Sequence, residues 1–298
     1  MLKLPKQNRY ARSVLAGRPD WSWPDGKRLA FYIATNVETF AFGTGVSPDA
    51  VVLNAPPTIR NFAWRDYGNR VAFWNLYDLL DEFGIRTSCL VNSLMFDEYP
   101  EIIERIQKRG DAIVGHGRTN AETLRGLWED DERALIAEAT ETIKAHTGKP
   151  PRGWLGPGAA ETPVTPDLLK EAGYEYLLDW PCDDQPVWIE TRAGRLMSVP
   201  YPFELNDMGQ ILWRQHTARE FSHMVTDQFD ELVRQSDDHP VVMCVSLHPY
   251  LIGQPFRLAA LRRALEHITS HPGFDKVWIT NSDDIYDYAK TLEPGLIQ

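Results

Sequence analysis

A chain of 298 residues that is 43% hydrophobic can bury a large core, enough for one sizeable α/β domain or two small ones. Its formal charge of −11 and pI near 5.2, with no basic run to track phosphates, exclude a nucleic-acid binder. No apolar stretch reaches the roughly 18 residues that a membrane span needs, so no membrane partner is expected either.

Residues 1–28 read as an N-terminal arm. Met1-Leu2-Lys3-Leu4-Pro5-Lys6 runs into polar residues without the apolar centre of a signal peptide, which points to a cytoplasmic protein. The first apolar, β-branched run, 29–35, predicts a strand that ends in Asn36-Val37-Glu38. Residues 42–70, rich in Pro, Asn and aromatics, lack regular pattern and form a candidate lid or interface loop. A helical spacing over 71–83 then leads to a strand at 87–92, a helix at 100–109 and a strand at 112–115. That third strand runs into His116-Gly117-Arg118-Thr119-Asn120. Helix 131–147, strand 153–155, helix 166–172 and strand 176–178 follow. A second patternless stretch, 182–215, precedes helix 218–235, strand 241–247, helix 258–270 and a last strand at 276–279. Gly84, Gly110, Gly148 and Gly173 stand where the shorter helices should stop.

Strand–helix–strand repetition at this spacing means right-handed parallel crossovers. So many units in one chain predict a single α/β domain, 1–298, built as a deformed and incomplete (β/α) barrel. An open doubly wound sheet is the alternative. No Gly-x-Gly-x-x-Gly follows the first strand and no Walker-type loop appears, so neither a dinucleotide nor an NTP is expected. Cys89, Cys182 and Cys244 are far apart and unpatterned, and read as small hydrophobes rather than a disulfide or a zinc site. Cys89 and Ser93 sit in no nucleophile elbow. His146, His216, His223, His239, His267 and His271 lie in helices or loops and read as ordinary surface histidines. Ten tryptophans, several near the two irregular stretches (Trp21, Trp23, Trp64, Trp180, Trp213), suggest an aromatic-walled pocket or a subunit interface.

Polar residues at the carboxyl end of a buried strand are expensive unless something uses them, and that end is where α/β sheets and barrels place their sites. Four segments qualify: Asn36-Val37-Glu38, the His116–Asn120 segment, Arg152-Gly153-Trp154-Leu155-Gly156-Pro157 and Leu247-His248-Pro249. In order and spacing they resemble the motifs of the polysaccharide deacetylase (NodB-homology) superfamily, over roughly residues 20–290. The wording is similar to the branch that holds allantoinases of that fold and cyclic imide hydrolases. Residues 23–28, Asp66-Tyr67-Gly68-Asn69-Arg70 and residues 247–253 carry that finer likeness.

The resemblance implies specific roles. The family's deacetylases place a base aspartate and a metal-binding aspartate at the first strand, and two histidines of His-x-x-x-His complete the metal site. Here Asn36 stands at the base position, Glu38 at the metal-binding carboxylate, His116 at the first histidine, and Asn120 replaces the second. Zinc normally takes three strong protein donors, and two are a large loss in affinity, so no cofactor is expected. The alternative is one weakly bound divalent ion such as zinc at Glu38 and His116. The resemblance further assigns His248 as general acid and Arg152 as organiser of the catalytic base, although Arg152 reads equally as part of the Lys149-Pro150-Pro151 turn. Glu38 becomes the general base if burial raises its pKa. Asn36, Arg118, Asn120, Trp154, Asp179 and Trp180 are expected to bind substrate, with the amides and arginines stabilising an oxyanion.

The expected reaction is hydrolysis of a non-peptide C–N bond in a small cyclic imide or ureide, and the resemblance implies a homo-oligomer, a tetramer. Two rivals stand beside it: a metal-dependent N-deacetylase of amino sugars or peptidoglycan, and a non-catalytic binding protein on the same scaffold.

Overall fold

The computed structural model describes residues 6–44 and 58–298. Among these residues, nine strands form one sheet: β1 (Leu29–Val37), β2 (Thr87–Val91), β3 (Ala112–Gly115), β4 (Gly153–Trp154), β5 (Tyr176–Leu177), β6 (Val187–Thr191), β7 (Gly194–Ser198), β8 (Val241–Leu247) and β9 (Val277–Ile279). Their order is β6-β7-β5-β4-β3-β2-β1-β8, and β9 pairs the first residues of β1. Among the described residues, only the β6–β7 hairpin is antiparallel. Successive strands β1 to β5 add in one direction without the order reversal of a doubly wound sheet. The sheet therefore curls into the incomplete barrel that the sequence predicts. No ladder joins β7 to β8. Irregular chain fills the gap, with Val242 N–H donating to Asp184 O at 2.8 Å and Ser246 N–H to Leu205 O at 2.9 Å.

The strand sequences look uniformly apolar because both faces are buried. Alternation sorts them nonetheless. Leu29, Phe31 and Ile33 of β1, with Val241, Met243 and Val245 of β8, pack outward with helices Phe73–Glu82, Ala218–Gln235 and Pro255–Ser270. Ala30, Tyr32 and Ala34, with Val242, Cys244, Val114 and Tyr176, fill the barrel interior. Its lower end is closed by Trp21 and Trp23 of the arm and by Ile285 of helix Ser282–Ala289. Trp23 Nε1–H caps the start of β8 through Val241 O at 3.1 Å, so these two tryptophans are floor and not pocket wall.

Glycine matters most where β4 meets β5. A Cβ on Gly153 would stand 2.2 Å from the Tyr176 ring, so the two short strands pair only because that side chain is missing. The predicted helix stops hold: Gly84, Gly110, Gly148 and Gly173 all take positive φ.

Two readings need correction. The stretch 182–215 is not irregular throughout, since it holds the β6–β7 hairpin and the turn of π-helix Met208–Trp213. The hairpin escapes notice because neither strand alternates cleanly: Val187–Thr191 and Gly194–Ser198 each expose one end. Within the predicted loop 42–70, helix Ile59–Tyr67 forms, capped by the Thr58 side chain on Asn61 N. Residues 45–57 of that loop lie outside the described residues. Among the described residues, no helix is long and apolar enough to cross a membrane.

Candidate active site at the carboxyl rim of the barrel

The parallel register assembles the site. Val37, Val91, Gly115, Trp154 and Leu177 form one continuous row across β1 to β5. The next residue on β1, β2 and β3 is polar: Glu38, Asn92 and His116. On the other side of β1, Thr35 pairs Leu247, which brings His248 beside Asn36. The interior positions thus change from apolar at the base (Ala30, Tyr32, Ala34) to polar at the rim (Asn36, Glu38), in step with Val114 to His116 and Cys244 to His248. These side chains open onto a cavity of about 440 Å³, a size suited to a small ligand. A larger groove of about 910 Å³ follows the gap between β7 and β8, but Glu38, His116 and His248 line only the smaller one.

Glu38 is the hub. Its Oε1 lies 3.4 Å from His116 Nε2 and 3.7 Å from His248 Nε2, and it accepts a hydrogen bond from Asn120 Nδ2. Each ring is held from behind. His116 Nδ1 lies 2.6 Å from Leu155 O, which can only accept, so the proton sits on Nδ1 and Nε2 turns to Glu38. His248 Nδ1–H donates to Asp207 Oδ1 at 2.7 Å. Asn92 ties the loop together, accepting from Thr39 N–H at 3.0 Å and donating to His116 O and Asn120 Oδ1.

Burial pushes the Glu38 carboxyl up, but His248, His116 and Arg65 outweigh it, and the group ends below the ordinary glutamate value. The expected upward shift is therefore not what this environment produces. His248 moves the other way: burial pulls it down, yet Asp207 and Glu38 raise it above the usual histidine value. An ionised carboxylate beside an imidazolium is the favoured pairing.

The donor set does not fit zinc. Asn120 turns its Nδ2 hydrogens toward Glu38, offering a donor to the carboxylate where a second imidazole lone pair would be needed. Among the described residues, no group of three or more His, Cys, Asp or Glu is arranged to hold a metal ion.

Other expected residues are placed as follows. Asp179 lines the cavity, as does Asn120. Asn36 also lines it, but its Nδ2 donates to Ser246 Oγ at 3.0 Å and Leu247 O at 3.1 Å, so both amide hydrogens fasten β1 to β8 and none is left for an oxyanion. Arg152 is a correction: it precedes β4, at the opposite end of the strand, and its guanidinium binds Asp287 at 2.6 Å and Glu175 at 2.9 Å. Arg118 is another, since it turns outward to Glu122 and Glu138. Trp154 is fully buried against Tyr174 in the outer core. Trp180 does not line the cavity; its Nε1–H is bound to Glu161 Oε2 at 2.7 Å.

Two residues were not anticipated. Asp207 is fully buried and comes from the stretch read as patternless, 41 positions before the histidine it holds. Arg65, from helix Ile59–Tyr67, lines the cavity with its guanidinium 4.1 Å from the Phe40 ring centre. Its place beside the Asp66–Arg70 segment is the one available signal.

Comparison with known proteins gives a consistent result. The polysaccharide deacetylase family profile matches residues 65–177. A Schizosaccharomyces pombe protein named as a polysaccharide deacetylase is 25% identical over 278 residues, covering 87% of this chain and 85% of that protein. The solved structure of PuuE allantoinase aligns with a TM-score of 0.85 at 26% identity, over 96% of this chain and 99% of that one. A Pseudomonas aeruginosa PAO1 structure described as a polysaccharide deacetylase aligns with a TM-score of 0.79 at 26% identity, over 91% and 94%.

Proposed function

For this chain of the polysaccharide deacetylase (NodB-homology) superfamily, we propose hydrolysis of a C–N bond in a small cyclic imide or ureide, without a metal ion. The observation that carries the reading is the Glu38 carboxylate set between two imidazoles, with the Asn120 amide donating to it where the family's second histidine ligand would stand.

Glu38 is the base that takes a proton from the attacking water, and the lone pair of His116 Nε2 orients that water. The water oxygen adds to a ring carbonyl carbon. Arg65 is the cation nearest to receive the developing oxyanion, in the role expected of Arg118 and Arg152. His248, protonated through its pairing with Asp207, donates Nε2–H to the ring nitrogen as the C–N bond breaks. The product is an open-chain acid amide; one proton has moved from water to Glu38 and another from His248 to nitrogen, and solvent exchange restores both. An imide carbonyl is electrophilic enough that these groups replace a Lewis acid.

A metal-dependent N-deacetylase is the second reading, favoured by the names of the relatives. Purified protein incubated with succinimide, hydantoin, dihydrouracil and allantoin, and in parallel with N-acetylated sugar oligomers, separates the two. Loss of ring absorbance at low ultraviolet supports the proposal. Acetate release without ring opening overturns it. The tetramer expected from the resemblance is checked by light scattering on the same preparation.

A further inference from the structure

Part of the cavity wall is made by the turn after β4 and the end of β5. Gly156 N–H donates to Asp179 Oδ1 at 2.8 Å, and a Cβ on Gly156 would meet Ala160 O at 3.0 Å. Ala159, two residues before the half-buried Glu161, takes φ +49°, an uncommon conformation for a residue with a side chain. Asp179 is 9% exposed and lines the cavity, and its Oδ2 has no hydrogen-bond partner. Glu161 stands behind it, with Oε2 on Trp180 Nε1–H and Oε1 also without a partner. Behind Glu161 lies Glu132, from helix Glu129–Thr147, both of whose oxygens accept from the Thr162 and Thr165 hydroxyls. Arg9, the cation that reaches Glu161, is bound to Asp167 at 2.7 Å.

Burial and repulsion from Glu161 raise the Asp179 carboxyl well above its ordinary value, while burial and Glu132 bring Glu161 to about 7. Both influences favour the protonated, neutral form of Asp179. Oδ1 faces an N–H, so the proton belongs on Oδ2, and the carboxyl becomes a donor. A neutral buried carboxyl that donates a hydrogen bond is a known device of active sites.

We propose that Asp179 is the specificity-determining residue of this pocket: its Oδ2–H donates to the second, unattacked carbonyl of a cyclic imide. Two strand spacings, about 10 Å, separate the ends of β3 and β5. His116 and Asp179 line the same cavity of about 440 Å³, which has room for one small ring. Asp179 thus selects a ring with two carbonyls over a ring with one. The inference rests on the cyclic-imide reading and names its substrate class more closely.

The test compares wild type, Asp179→Asn and Asp179→Ala, with succinimide as the two-carbonyl ring and 2-pyrrolidinone as the one-carbonyl ring. Asp179→Ala is expected to raise KM for succinimide roughly tenfold or more with a smaller change in kcat, and to leave 2-pyrrolidinone inhibition unchanged. Wild type is expected to show an alkaline rise of KM as the Asp179 proton is lost; Asp179→Asn keeps an N–H donor, so its KM stays within about threefold at pH 7 and that rise disappears. Wild type and Asp179→Asn share the same Glu38, His116 and His248 and act on the same imide, so this difference isolates Asp179. Unchanged succinimide KM in Asp179→Ala, or the same alkaline rise in Asp179→Asn, overturns the proposal. If the alanine variant does not fold, the asparagine pH profile decides alone. Should wild type open no imide, calorimetric binding of succinimide still decides: Asp179-dependent binding keeps the recognition edge and sinks only the reaction, whereas Asp179-indifferent binding sinks the edge.

Discussion

Asp207 holds His248 twice: its Oδ1 takes the ring Nδ1–H at 2.7 Å and its Oδ2 takes the backbone N–H at 2.8 Å. Ring, tautomer and backbone are therefore set by one buried carboxylate, and the carboxylate also supports positive charge on the ring. Asp207→Asn removes that support. The alkaline limb of kcat/KM should move to lower pH and kcat should fall by roughly 10²- to 10⁴-fold, the range for losing a positioned acid. An NMR titration of the His248 ring in both proteins checks the cause; an unmoved alkaline limb would falsify the pairing.

The pH profile of the unaltered protein has a sign fixed by the same charges. Glu38 must be ionised and its carboxyl lies below the ordinary glutamate value, so the acid limb of kcat/KM is expected below about 4.3. His248 must be protonated and its ring lies above the ordinary histidine value, so the alkaline limb is expected above about 6.5. A profile with activity confined to the alkaline side, as for a neutral imidazole base, contradicts these roles.

Glu38→Gln keeps the shape and the contact with Asn120 but removes the base. Turnover should drop about 10²- to 10⁴-fold, while thermal unfolding followed by circular dichroism stays near wild type. Near-normal rates would remove Glu38 from the chemistry.

Exhaustive dialysis against EDTA should leave imide turnover unchanged, because the Asn120 amide donates to Glu38 in place of a third ligand. Total loss on chelation, restored by zinc, would defeat the metal-free mechanism.

The arginines give a paired prediction. Arg65→Met should lower kcat/KM by roughly 10²-fold through loss of oxyanion support. Arg152→Ala should leave kcat/KM unaltered and reduce stability by about 0.5–1 kcal/mol, a modest value because its partners Glu175 and Asp287 are partly exposed. Denaturant melts and steady-state rates on the two variants separate the roles; loss of activity in Arg152→Ala would return it to the site.

Much of this protein is determined locally. Apolar runs of strand length, helical spacing between them and glycines at the stops fix the parallel α/β barrel, because backbone hydrogen bonding and side-chain periodicity act over a few residues. Strand parity also places Glu38, His116 and His248 on the interior face, and their convergence follows once the strands are parallel and in register. What tertiary structure alone decided are the partnerships across long separations: Asp207 with His248, Arg65 with the hub, and Glu161 with Asp179. It also decided that Arg152, one residue before β4, faces the base of the barrel. Burial and charge in such contacts depend on every packed element at once, and so the pKa of Glu38 fell where its sequence neighbours suggested a rise.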